Sequence, residues 1–266
     1  MKKRRIIPVI LLKEGQIVQS KQFKRHQNIG DPFKSVSRYS EWNADELIYL
    51  NISPDHLYSQ NHRSDINSGN YSDFSELTNI ISHNNLCPIT IGGGIKSLDD
   101  VNELFKNGAD KISFCSQVID HNYQLFNQIS NIYGCQALVA VLDIIKIDET
   151  YFLYDYRTKK ALDITLVEMI RNVEKWGFGE IVVQDVLQDG RKRGYDIDLF
   201  RLASDSTNLP VVALGGAGSL EDFDLLFENT NVDAVAAANF FQHQELSVIN
   251  LRKFLSINKK RKYIRI

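Results

Sequence analysis

Cysteine is scarce, with Cys87, Cys115 and Cys135 the only three in 266 residues. An odd number at unrelated spacings excludes a disulfide framework and a metal-type cluster, and it points to reduced thiols in a cytoplasmic protein. Long apolar runs are missing too, and none approaches the roughly 20 residues that a membrane span needs. The basic start MKKRR lacks the apolar stretch of a signal peptide, because Pro8 and Lys13 interrupt the residues after it. Nor is there an excess of charge of one sign. A formal net charge of −2 gives no broad attraction to nucleic acid or to an anionic membrane. Only NKKRKYIRI (258–266) is locally basic, through Lys259, Lys260, Arg261, Lys262 and Arg265, and it reads as a solvated end. Neither a cofactor nor a metal is expected.

What is present is material for a large core. Hydrophobic residues make up 43% and charged residues 24%, ordinary values for a globular protein. The length suits two small domains or one α/β barrel, which commonly takes about 250 residues. Short β-branched runs decide between them: IIPVIL (6–11), LIYLNI (47–52), PITIG (88–92), KISFC (111–115), ALVAVLD (137–143), EIVVQD (180–185), PVVALG (210–215) and AVAAAN (234–239). Segments with helical spacing, such as SLDDVNELFKNG and LVEMIRNVEKWG, alternate with them, which predicts a (β/α)8 barrel spanning the chain.

The chain also repeats itself. IGGGIKSLDD (91–100) returns as LGGAGSLEDF (214–223), so Gly92 matches Gly215 at a spacing of 123, the spacing that also separates Asp110 from Asp233. WNADELIYLN (42–51) returns as WGFGEIVVQD (176–185), with Trp42 to Trp176 and Glu46 to Glu180 both 134 apart. Two four-strand half-barrels with unequal loops explain both offsets. Residues 54–76, polar and rich in Ser and Asn, have no counterpart in the second half. They follow the second strand on the face where barrels keep their active sites, and are read as a substrate-facing lid.

The turns GGGIKS (92–97) and GGAGS (215–219) each end a strand and open a helix, with Ser97 and Ser219 placed as caps. Glycines let backbone N–H groups approach an anion, and the helix start adds a favourable dipole. Two copies suggest two phosphate sites, suited to a substrate with a phosphate at each end. A third loop, QDGRKRGYD (188–196), carries Asp189-Gly190 and then Arg191, Lys192 and Arg193; it reads equally as an anion-ordering loop and as a solvated turn. The fifth strand ends in Asp143, where a barrel strand's acid is usually catalytic. Its counterpart across the repeat, 132 residues earlier, is Leu11. Arg5, Glu46, Lys111 and Glu180 each immediately precede a strand, so all four belong at the opposite mouth. Alternating signs there could pair into a ring, which by itself reads as a structural plug.

RRIIPVILLKEG, GDPFKSVSRY, ADELIYL, IGGGIKSLDD, GADKIS, GEIVVQDVLQDGRKRGYD and LGGAGSLEDF, in this order, resemble the cyclase subunit of imidazole glycerol phosphate synthase (HisF), from Arg5 to the tail apart from the insertion at 54–76. The resemblance implies a barrel that docks a glutaminase subunit (HisH-like) on its N-terminal face and takes ammonia through its centre. It implies an ammonia gate of Arg5, Glu46, Lys111 and Glu180, a partner contact at Asp110, and one catalytic aspartate at Asp143. Phosphate and substrate binding is implied for Gly92, Gly93, Gly94, Ser116, Asp189, Gly190, Gly215, Gly216, Ala238 and Asn239. The pattern is broken where the second catalytic aspartate becomes Leu11, and by Gln19 for lysine, Asn51 for aspartate, Cys115 for asparagine, Gln184-Asp185 for Thr-Ser and Leu214 for serine. An intact gate with an altered mouth resembles the HisF-like paralogues of surface polysaccharide pathways, which install acetamidino groups on sugars. That resemblance implies a separate sugar amidotransferase as a further partner. A genuine histidine-pathway cyclase and a non-catalytic glutaminase-activating scaffold are the other readings.

Overall fold

The computed structural model describes residues 3–30, 32–53, 74–243 and 245–257. The polar insertion at 54–76 lies outside the described residues from 54 to 73, and its last three residues instead begin a helix. The basic C-terminal end, 258–266, also lies outside them.

The first half runs β1 (Arg5–Lys13), β2 (Gln16–Lys21), β3 (Arg25–Gly30), α1 (Pro32–Glu41), β4 (Leu47–Asn51), α2 (Phe74–His83), β5 (Ile89–Gly92), α3 (Leu98–Lys106), β6 (Lys111–Phe114), α4 (Ser116–Ile119) and α5 (Tyr123–Tyr133). The second half runs β7 (Leu138–Ile147), β8 (Thr150–Asp155), β9 (Lys160–Thr165), α6 (Leu166–Lys175), β10 (Glu180–Asp185), α7 (Ile197–Asp205), β11 (Val211–Leu214), α8 (Leu220–Asn229), β12 (Ala234–Ala237), α9 (Asn239–His243) and α10 (Ser247–Ile257). Strands β1, β4, β5, β6, β7, β10, β11 and β12 pair in parallel in that order, and the β12–β1 and β7–β10 pairings complete a closed eight-stranded barrel. Each predicted strand is one of these eight.

The strands are apolar on both faces because both are covered, which is why they read as near-continuous β-branched runs. One set of side chains, including Ile7, Val9, Ile48, Val139, Val141, Val182 and Val212, packs inside the barrel. The alternate set, including Ile6, Ile10, Leu47, Ile91 and Val183, packs under the helices. Helix α6 shows the matching helical pattern: Leu166, Met169, Ile170 and Val173 are all fully buried. Truncating Met169 or Ile170 to alanine would cost about 2–5 kcal/mol.

Two antiparallel hairpins, absent from the strands read off the sequence, extend the sheet. β1 continues into β2 and β3, and β7 into β8 and β9. Lys13 faces Gln16 across Glu14 and Gly15, both at positive φ (50° and 76°), the two-residue turn whose twist suits a tight hairpin.

Candidate active site

The N-terminal mouth is closed by charge. Arg5 donates to Glu46 (2.8 Å) and, at closer range, to Glu180; Lys111 donates to Glu46 (2.9 Å) and Glu180 (2.8 Å). The ring therefore alternates in sign and has no net charge. Thr90 Oγ1 donates a further bond to Glu46 at 2.6 Å. Both carboxylates are buried, at 3% and 5% exposure, so each depends on its cationic neighbours. Burial alone would raise the Glu180 pKa, but Arg5 and Lys111 outweigh it and hold the group below its ordinary value. Burial likewise opposes the charge on Arg5, and Glu180 and Glu46 reverse that effect, raising it.

Inward from the ring the lining turns aliphatic, with Ile7, Val9, Ile48, Val139, Val141, Val182, Val212, Ala234 and Ala236. At the far end β7 brings up Asp143, 4% exposed. Burial pushes its pKa up to about 7; Asp189 and Asp155 add to the rise, and a hydrogen bond from the Cys115 thiol (3.5 Å) opposes it. The Cys115 thiol is itself pushed well up, by burial and then by Asp143, so it remains a donor. A carboxyl poised near neutrality can give or take a proton within one reaction. Strand β1 lies four strands away in either direction round the barrel, and near its barrel end it carries Leu11, clustered with Val9, Val18 and Leu214. Of these two facing strands only β7 thus carries an acid, although Asp155, Asp185 and Asp189 are also buried at this end of the barrel.

The glycine turns flank this mouth. A Cβ on Gly93 (φ +101°) would stand 2.0 Å from the Asn51 carbonyl, and one on Gly216 (φ +109°) 2.2 Å from that of Gly194, so only glycine fits either turn. Both following helices are capped as expected. Asp100 accepts from Lys96 N–H and Ser97 N–H (both 2.9 Å), and Asp222 accepts from Gly218 N–H (2.9 Å) and Ser219 N–H (2.8 Å). Gly215, Gly216, Asp189, Gly190, Ala238 and Asn239 line one cleft together with Leu11, Gln184 and Leu214. The Gly92, Gly93 and Gly94 turn lies apart from that cleft, where β5 pairs with β6, and Ser116 begins the helix after β6.

Some candidate residues have structural duties that the sequence did not reveal. The Asp189 carboxylate accepts from Ser20 Oγ (2.8 Å) and Phe23 N–H (3.3 Å), so this cleft residue also anchors the β2–β3 hairpin. Asp110 accepts from Ile89 N–H (2.8 Å) at the opposite face. Asn51 and Asp185, 134 residues apart like the other repeated pairs, both accept from the N–H two residues on, at 3.1 and 2.9 Å. Each therefore shapes the turn after its strand. Sequence reading missed the Cys115–Asp143 contact, which depends on the pairing of β6 with β7. It also missed Arg157, which joins Asp155 (3.0 Å) to Asp120 (2.8 Å) beside the mouth. No group of three His, Cys, Asp or Glu that could hold a metal occurs among the described residues, and no helix among them is long and apolar enough to cross a membrane.

A closed barrel doubled from two half-barrels, with a glycine turn in each half and a buried acid on β7, defines a (β/α)8 barrel protein with its candidate site at the C-terminal mouth. The profile of the histidine biosynthesis protein family matches residues 5–247, and the chain belongs to that family. It is 33% identical to the imidazole glycerol phosphate synthase subunit HisF of Sulfolobus acidocaldarius, over 97% of this chain and 98% of that one. The HisF subunits of Natranaerobius thermophilus and Leuconostoc mesenteroides subsp. mesenteroides are 34% and 35% identical, each over 95% of this chain and over 96% and 95% of their own.

Proposed function

We propose that this chain is a HisF-type synthase subunit that receives ammonia through its barrel and has exchanged the imidazole-forming chemistry for another acceptor. The observation that carries the reading is the unequal pair at the mouth, Asp143 on β7 against Leu11 on β1. An aliphatic side chain moves no proton, and loss of one member of an acid–base pair usually costs about 10²–10⁴ in rate.

The route for ammonia is supported by the ring and by the lining above it. Neutral ammonia can cross an aliphatic barrel, whereas ammonium would lose its hydration there at great cost. Arg5, Glu46, Lys111 and Glu180 act as the gate. A HisH-like glutaminase docks on the N-terminal face, where Asp110 is exposed and one of its oxygens already serves Ile89. The glycine turns, with Ser116 at the start of α4 and Asn239 at the start of α9, hold phosphate groups of the substrate. The acceptor is a sugar that becomes acetamidino-substituted in surface polysaccharide (lipopolysaccharide, O-antigen) biosynthesis, either here or on a separate sugar amidotransferase. A second reading, a cyclase of histidine biosynthesis, is favoured by 33–35% identity to HisF subunits over nearly the whole length.

The purified protein, given ammonium salt and the bisphosphorylated ribulosyl substrate of imidazole glycerol phosphate synthase, is expected to form no imidazole glycerol phosphate. It should likewise fail to restore growth without histidine to a cyclase-deficient strain. Product in the first assay or growth in the second would establish the second reading instead.

A further inference from the structure

The loop at 188–196 has a basic run that the ammonia route does not use. In the fold it packs against the β2–β3 hairpin: Gln22 N–H donates to the Asp189 carbonyl (3.1 Å), and Arg191 donates to the Gln22 side-chain oxygen at 2.6 and 2.8 Å. Asn239 closes the third side by donating to the Ser20 carbonyl at 2.8 Å. An open groove runs between these three segments. Its walls carry Lys21, Lys24, Arg25, His26, Lys192 and His243, and no carboxylate. Asp189 lies behind the hairpin, its carboxylate hydrogen-bonded to Ser20 and Phe23, and its charge reaches the groove at His26. Among the described residues Lys21, Lys24, Arg25 and Lys192 form no ion pair. His26 is held below its ordinary value by burial and then by Lys13, with Asp189 opposing, and His243 by burial and then by Lys192.

The groove adjoins the cleft of the Gly215-Gly216 turn, since Gly190 and Asn239 line both. A monophosphate seated at the turn would leave the neighbouring cations without a counter-charge. We propose that the groove seats a second phosphoryl group next to the one at the turn, so that the ligand is a diphosphate ester with its outer phosphate among Lys21, Lys24, Arg25 and Lys192. This rests on the phosphate role given above to the Gly215-Gly216 turn, and on nothing about the ammonia route. Phosphate oxygens suit such a site because each can accept from several cationic donors at once. The adjoining turn is built for a compact anion, which favours a diphosphate over a nucleic-acid strand, and the net charge of −2 adds no long-range attraction for the latter.

The test is calorimetric titration of the whole chain with inorganic pyrophosphate and with inorganic phosphate at one ionic strength, comparing wild type with Lys21→Gln/Arg25→Gln. Pyrophosphate should bind at least about tenfold more tightly than phosphate to the wild type, and the double variant should lose that preference while its phosphate affinity stays within about twofold. Lys24→Gln/Lys192→Gln, which takes one cation from each of two walls, repeats the comparison if the first variant fails to fold. Equal affinities in the wild type, or a preference that survives the substitutions, would overturn the second phosphoryl site and leave the turn intact. Tighter binding of a single-stranded oligonucleotide than of pyrophosphate would also overturn it. No binding of phosphate to the wild type would overturn the phosphate role of the turn and this inference together.

Discussion

Strands β1 and β7 stand opposite one another in the barrel and each runs on into a hairpin, yet near where the barrel gives way to the hairpin β7 carries the buried carboxyl of Asp143 and β1 carries Leu11. The hairpins differ in the same sense. β3 is exposed along most of its length and flanks a basic groove, whereas β8 buries Tyr151, Leu153 and Asp155. Features that hold the frame agree between the halves. Asp110 and Asp233 accept from the first N–H of β5 and β11, at 2.8 and 3.0 Å, and both glycine turns lead into a capped helix. The halves therefore share what a barrel needs in order to close, and they differ where a substrate would lie.

The sharpest way to break the comparison is to make the halves alike. Asp143→Asn leaves no titratable carboxyl at either strand end, and synthase turnover should fall by about 10²–10⁴. An unchanged rate in a coupled ammonia-transfer assay would remove Asp143 from the chemistry. The same variant has a signature in stability. Asp143 titrates near pH 7 when folded against an ordinary value of 3.8, so between those values the folded state holds a proton that the unfolded chain has lost. Wild-type stability should therefore fall, relative to Asp143→Asn, as pH rises from about 4 to about 7, and the gap should be constant above that range. Denaturant midpoints at several pH values would check the sign.

The next effect is at the mouth that both halves build. Lys111→Met removes one of the two cations shared by Glu46 and Glu180 and leaves buried negative charge short of a partner, at a cost of about 3 kcal/mol. A urea midpoint close to wild type would show that the ring tolerates the loss and would weaken its place as a closed plug. The smallest expected effect tests a feature common to the halves. Ser97 Oγ accepts from Asp100 N–H at 3.2 Å, and Ser97→Ala should cost about 1 kcal/mol, with little change in turnover. Calorimetric melting with a turnover assay would measure both.

Much of this was legible in the chain. The eight barrel strands could be read because burial on both faces demands unbroken β-branched runs, and the two halves because frame residues recur at fixed offsets. The hairpins were not legible for two different reasons. The β3 sequence RHQNIG is exposed and carries no apolar alternation, whereas TYFLYD on β8 is a short unbroken aromatic-rich run whose alternation of burial arises only in the fold. The presence of Asp143 and the absence of its counterpart at Leu11 were written in the sequence. That the Asp143 carboxyl is held near neutrality beside Cys115, or that Asp189 anchors a hairpin, could not be read there.

The sequence by itself determined the barrel, its doubling, the family and the unequal strand ends, because each is a matter of residue type and spacing along one chain. Tertiary structure alone decided which charges meet. It closed Arg5, Glu46, Lys111 and Glu180 into a neutral ring and gathered Lys21, Lys24, Arg25 and Lys192 around one groove. Electrostatic interaction falls with distance through space and not along the chain, so residues up to 175 apart in sequence acquire their chemistry only when the sheet closes.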